Sequence, residues 1–246
     1  MPAPSRDITD TVIAITGAST GIGAASARLL LEAGAKVVVQ ARRRERLDAL
    51  AQEFGADRVQ VVVGDVQDPA SATDLVSAAV DSFGRLDSMV ANAGIGIYGG
   101  ILDTSDEQLQ VMMRTNFEGT VWAVRAAVAQ FRRDPGAGGD VVVVSSVAGL
   151  RGGADEAVYA ATKFAQVGLA GAPDREVRTE GIRVTAICPA GVKTEFAIGA
   201  GRTEGDPELD EYLLPEDVAH AVVTVLQQPR RLRTTQWQLW SMGQGS

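Results

Sequence analysis

The sequence predicts an α/β protein: a single domain over 1–246 with a doubly wound, mainly parallel sheet of seven strands and helices on both faces. Three observations predict it. Short β-branched runs alternate with amphipathic stretches along nearly the whole chain, the rhythm of β-α-β units with right-handed crossovers. Six of the seven runs are apolar almost throughout, as strands covered on both faces of a parallel sheet must be. A length of 246 residues suits one large domain of this class, and no internal repeat or low-complexity linker divides it.

The strands are expected at 11–16 (TVIAIT), 36–40 (KVVVQ), 59–64 (VQVVVG), 86–91 (LDSMVA), 140–146 (DVVVVSS), 182–188 (IRVTAIC) and 235–240 (TQWQLW). Between the first two, IGAASARLLLEAG reads as a helix stopped at Gly34. DPASATDLVSAAVDSFG opens with a cap and a first-turn proline and stops at Gly84. TSDEQLQVMMRTNFEGTVWAVRAAVAQFRR reads as one long helical pattern, and 134–140 as a loop. Pro173 sits inside the next helical stretch. It lacks a donor and clashes one turn back, so a kink or break is expected between Leu169 and Pro173. The polar segment 193–214 breaks the rhythm and is expected to be a mobile lid.

A net charge of −8 argues against a general binder of nucleic-acid backbones. Cys188, the single cysteine, can form no internal disulfide, and its apolar surroundings make it a core thiol. No metal site is expected. The start, MPAPSRDITD, lacks a basic region followed by an apolar stretch, and no apolar run is long enough to span a bilayer. A cytoplasmic setting without membrane partners is therefore expected.

Chemistry concentrates at the predicted strand ends, where an open α/β sheet binds ligands. After the first strand come Gly17, Gly21 and Gly23, spaced G-x₃-G-x-G and opening a helix. Such glycines let the backbone turn tightly and approach a pyrophosphate seated on the helix N-terminus; the bland alternative is a Gly-rich turn. Asp65 follows the third strand, where a carboxylate could accept from an adenine amino group; it also reads as a turn residue. Asn92, Ala93 and Gly94 follow the fourth, a small-residue loop that permits close approach of a ribose, or a plain turn.

TGASTGIG, Asn92-Ala93-Gly94, Asn116, Ser146, Tyr159-x-x-x-Lys163 and CPAGVKTEF (188–196) occur in this order over nearly the whole chain. In this the chain resembles the short-chain dehydrogenase/reductase family. The resemblance implies a Rossmann-type fold and hydride transfer between NADP(H) and a carbonyl or secondary alcohol. It implies a catalytic set of Asn116, Ser146, Tyr159 and Lys163. Around the cofactor it places Ser19, Thr20 and Ile22 with the three glycines, then Arg42, Arg43, Asp65, Val66, Asn92, Ala93 and Gly94. Tyr159, Lys163, Pro189, Gly191, Val192 and Thr194 complete that group. Ile97, Ser146, Leu150, Arg151, Tyr159 and Phe196 are the expected substrate walls, and a homotetramer or homodimer the expected assembly. Ala190 departs from the family's Pro-Gly after the sixth strand.

The chemistry fits the residue types. On a helix over 157–170, Tyr159 and Lys163 share a face one turn apart. A neighbouring ammonium and a nicotinamide cation favour the phenolate, so Tyr159 could exchange a proton with a carbonyl oxygen. Ser146 would bond the same oxygen. The resemblance further implies that Lys163 reaches the ribose hydroxyls and that Asn116 holds a water linking Lys163 to solvent. Cofactor choice rests on the end of the second strand. Ala41 stands where an NAD enzyme usually has an acid, and Arg42, Arg43 and Arg44 follow. Arginine suits a 2′-phosphate, and its placement at a helix start, where the dipole disfavours cations, is explained by a nearby anion. A non-catalytic NADP(H)-binding sensor, and an epimerase or dehydratase of the same family, remain open readings.

Overall fold

The computed structural model describes residues 5–134 and 136–245. Residues 1–4 of the opening stretch, Pro135 in the 134–140 loop and Ser246 lie outside the described residues. The strands are β1 (Val12–Thr16), β2 (Lys36–Ala41), β3 (Val59–Val63), β4 (Ser88–Ala91), β5 (Gly139–Val144), β6 (Ile182–Pro189) and β7 (Gln236–Leu239). They form one sheet in the order β3-β2-β1-β4-β5-β6-β7, every neighbouring pair parallel. The strand order reverses at β1, which pairs with β2 through Val12↔Lys36 and with β4 through Ile13↔Ser88. Ligands of open α/β sheets bind beyond the carboxyl ends at such a point.

Side chains alternate across the sheet, so each strand feeds two cores. Ile13, Ile15, Val37 and Val39 face one core with Leu30 and Leu31 of α1 (Gly21–Glu32), Leu47 of α2 (Arg44–Phe54) and Val218 and Val222 of α7 (Pro215–Leu226). Val12, Ala14, Val38, Val141 and Val143 face the other. That core also takes Leu75 of α3 (Pro69–Phe83), Ala123 and Phe131 of α5 (Gly119–Phe131) and Ala170 of α6 (Ala157–Val177). Cys188 lies in this second core, and burial pushes its thiol up to about 11 against the pull of the Lys163 charge.

Local chemistry sets the helix ends. Asp68 accepts from the Ala70 amide at 2.9 Å, with Pro69 in the first turn, and Gly84 closes α3 at φ 78°. Gly34, at φ 91°, follows α1. The long helical pattern is not one helix. A capping box joins Ser105 and Gln108 at the start of α4 (Asp106–Met112), and a π-helical stretch, Met113–Glu118, separates α4 from α5. The expected break at Leu169–Pro173 is absent: α6 runs unbroken past Pro173 to Val177. Pro173 removes one bond, to the Leu169 carbonyl, only four residues from the helix end, where the backbone has little left to realign. Segment 193–214 carries a 3₁₀ turn (Pro207–Glu211) and a bridge between Val192 and Leu213. No helix among the described residues is long and apolar enough to cross a membrane.

Candidate active site

The strand ends open into a cleft of about 1260 Å³ that runs from the β2–α2 turn across β1 and β4 to the loop after β6. Its floor at β1 is shaped by glycine. Gly17 and Gly21 have φ of 68° and 54°, the region that favours glycine. A Cβ on Gly23 would run into the Gly17 carbonyl, so only glycine lets α1 start so close to the strand. Thr20 precedes α1 without a side-chain cap, which leaves first-turn amides free toward the cleft. Asn92 braces this loop: its Nδ2 donates to the Thr16 and Gly17 carbonyls at 3.0 and 3.2 Å. The Thr16 hydroxyl accepts from the Asn92 and Ala93 amides, both at 3.1 Å.

One end of the cleft is basic. Ala41 closes β2, and Arg42 and Arg43 follow as exposed side chains at the start of α2. Arg42 lies 3.9 Å from Asp65, whose other oxygen accepts from the Gln67 amide. Arg43 lies 3.7 Å from Glu195, which also takes two bonds from Arg46 at 2.9 and 3.0 Å. Val66 lies against Gly119, where a Cβ would come within 3.0 Å of it.

At the other end, four polar residues meet. Ser146 ends the β5 loop; its hydroxyl accepts from the Ala148 amide at 3.1 Å and faces the Pro189 carbonyl at 3.4 Å. Tyr159 and Lys163 lie one turn apart on α6, 6% and 4% exposed, with the ammonium 5.6 Å from the ring centroid. Lys163 donates to Gln166 Oε1 at 2.9 Å and to the Val144 carbonyl at 3.3 Å. Asn116, on the π-helical stretch, is fully buried. Its side chain accepts from the Ile95 amide at 2.8 Å and donates to the Ile95 carbonyl and to Thr162.

Gln166 joins Lys163 to Asn116: it accepts from Lys163 and donates to the Asn116 carbonyl at 2.8 Å and to Thr120. In the protein alone the Tyr159 pKa is raised. Burial beneath Tyr98 (ring centroids 5.3 Å apart) and Phe196 (5.9 Å) dominates, the Tyr98 hydroxyl adds to it, and Ser146 and Arg202 oppose it more weakly. Burial also drops Lys163 to about 8, weakening the ammonium that was to stabilise a phenolate.

Most expected residues line the cleft: Ser19, Thr20, Ile22, Gly94, Ile97, Pro189, Gly191, Val192, Thr194 and Phe196 among them. Leu150 does not; after the 3₁₀ turn Val147–Gly149 its side chain packs against the second core. Gly23 and Asn116 lie behind the wall and shape it. Arg151 is at the rim, its guanidinium 4.9 Å from the Trp240 ring. Ala190 stays in the ladder, donating to the Leu239 carbonyl at 2.8 Å. The tight approach falls at Gly191, where a Cβ would lie 2.7 Å from the Tyr212 ring. Sequence reading missed Gln166; Tyr98 and the 193–214 segment that holds Glu195 and Arg202 were expected as pocket walls, and only their individual roles were not foreseen. Gln166 carried a signal, seven residues after Tyr159 on the same helix face. The others sit in segments without periodicity.

The family model for short chain dehydrogenases matches residues 11–205. An uncharacterized oxidoreductase of Staphylococcus aureus (strain USA300) is 31% identical over 229 residues, covering 93% of this chain and 96% of its own length. Among solved structures, the chain is similar to an alcohol dehydrogenase from the archaeon Thermococcus sibiricus complexed with 5-hydroxy-NADP, at 30% identity and TM-score 0.86. That match covers 96% of this chain and 98% of the other. A 3-ketoacyl-(acyl-carrier-protein) reductase from Brucella melitensis complexed with NADH is 26% identical, at TM-score 0.87, covering 96% and 99%. With its motifs in order along one parallel sheet and its relatives oxidoreductases, this chain belongs to the short-chain dehydrogenase family.

Proposed function

We propose that the protein is an NADP(H)-dependent carbonyl reductase or alcohol dehydrogenase in which Tyr159 is the general acid and base. The meeting of Ser146, Tyr159, Lys163 and Asn116 beside a glycine-floored cleft carries this reading. The cleft fits a dinucleotide. Gly17, Gly21 and Gly23 leave room for phosphates against free helix amides, and Arg42 and Arg43 offer guanidinium groups beyond an acid-free β2 end. The cofactor, when bound, supplies or accepts the hydride.

The chain's own residues handle the oxygen and its proton. The Ser146 hydroxyl bonds the carbonyl oxygen, and the Tyr159 hydroxyl gives it a proton in reduction and takes it back in oxidation. Lys163, held by Gln166 and the Val144 carbonyl, keeps an ammonium beside the Tyr159 ring. Tyr159 carries its proton at neutral pH, as a phenol does, and burial holds it there. A nicotinamide enzyme in complex with an NADP analogue among the similar structures supports the cofactor class.

The test is turnover of a panel of ketones and aldehydes with NADPH and with NADH. NADPH is expected to be preferred, and Tyr159→Phe to bind cofactor while losing about 10²- to 10⁴-fold in turnover, the usual worth of a positioned acid. Near-normal rates in Tyr159→Phe would remove Tyr159 from the mechanism. A clear NADH preference would remove Arg42 and Arg43 from cofactor selection. Binding without turnover across the panel would favour a sensor.

A further inference from the structure

We propose that Arg202 is the substrate-selecting cation of this site, and that the preferred substrate is a carbonyl compound bearing a carboxylate several bonds from the reacting carbon. The proposal rests on the carbonyl-reductase reading above.

Arg202 lines the cleft from the segment after β6. Its guanidinium is held between two rings, 5.7 Å from the Phe196 centroid and 5.2 Å from the Tyr212 centroid. Phe196 is in turn the ring packed on Tyr159 at 5.9 Å. The cation therefore stands one ring away from the proton donor, close enough to hold another part of the same molecule. Its charge is felt there: it works against burial at both Tyr98 and Tyr159.

Among the described residues, Arg202 has no carboxylate oxygen within 4.0 Å of its guanidinium. Its hydrogen bond is from Nη1 to the Val192 carbonyl, at 3.0 Å. That bond and the two rings fix the plane of the group. Among the described residues Nε and Nη2 make no hydrogen bond, and together they can supply two parallel donors that match a carboxylate. The other arginines on the cleft stand elsewhere: Arg42 and Arg43 at the β2 end assigned to the cofactor, Arg151 at the rim. Arg42 and Arg43 face Asp65 and Glu195, and Arg151 stacks on Trp240. Of the cleft's carboxylates, Glu156 accepts from the Gly153 amide and Glu195 is tied to α2. Glu208 and Glu211 make no ion pair with Arg202. The whole chain carries −8, which repels anions at long range, so an anionic substrate needs a local cation at this place.

The experiment compares 5-oxohexanoate with its methyl ester, using NADPH and the full chain, and reads the ratio of their kcat/KM values. The acid is expected to exceed the ester by about tenfold or more, and Arg202→Gln to bring the ratio near one. Damage to the loop alone would lower both rates together and leave the ratio standing, so the ratio separates recognition from structure. Arg202→Lys should keep part of the preference, because charge survives without the fork. An unmodified protein that uses the ester as well as the acid overturns the proposal even if Arg202→Gln fails to fold, while turnover of the neutral ketones leaves the carbonyl-reductase reading intact. Absence of turnover with every carbonyl compound takes both down.

Discussion

Gln166 bonds three buried groups, the Lys163 ammonium, the Asn116 carbonyl and the Thr120 hydroxyl, each of which keeps one other bond: Lys163 to the Val144 carbonyl, and Thr120 to the Asn116 carbonyl. Gln166→Met keeps the bulk and removes the bonds. It should cost about 1–3 kcal/mol at neutral pH, since three buried hydrogen bonds are lost and each is worth about 0.5–1.5 kcal/mol. The pH dependence has a definite sign. Folded Lys163 releases its proton near pH 8, whereas its ordinary value is 10.5. Between these the unfolded chain holds more protons, so this group's contribution to stability rises with pH; its penalty is complete below about 8 and gone above 10.5. Without Gln166 the ammonium loses an acceptor and its pKa falls further. Denaturant midpoints from pH 7 to 10.5 should show the variant's deficit shrinking as pH rises; a constant deficit would mean that Gln166 acts by packing alone. The candidate set was readable because Tyr159 and Lys163 are rare residue types, three of each in the chain, at a fixed spacing, with Ser146 shortly before them. The shift in Tyr159 was not, because it comes from Tyr98 and Phe196, which reach the site from distant loops.

Helices and strands were legible where the pattern was long. All seven strands lie within two residues of where the sequence put them, and for the inner ones burial on both faces leaves little choice of residue. The π-helical stretch Met113–Glu118 was invisible because its apolar period differs little from that of the flanking helices. Pro173 was overweighted: one lost bond near a helix end is affordable when α6 packs along the second core through Ala170 and Val177. Its cost should still be measurable. Pro173→Ala restores the bond to Leu169 but loosens the unfolded chain, so a net gain of about 1–2 kcal/mol is expected from the two effects. Urea midpoints check this. A loss would show that the ring fills the groove it shares with Val124 and Val128.

In the whole molecule the two ends of the cleft are mechanically joined by the segment after β6. Glu195 is tied to Arg43 and Arg46, and Phe196, next in sequence, covers Tyr159. Movement of that ring would uncover more of the Tyr159 side chain on the cleft wall. Segment 193–214 is therefore expected to exchange amide protons faster in the free protein than in a ternary complex. Equal protection in both states would rule out a lid. The order of the sheet has a consequence for how the chain is made. Strands β2 and β3 add outward on one side of β1, and β4 to β7 add outward on the other, so no strand has to insert between two already paired. A chain emerging from the ribosome can build this sheet by accretion alone. Its cost is a waiting period: once β1, β2 and β3 have paired, the free edge of Val12–Thr16 stays open until Ser88–Ala91 has been synthesised. Nascent chains of that length present an apolar strand edge to one another, and crowding on a polysome is where this protein is most exposed to aggregation.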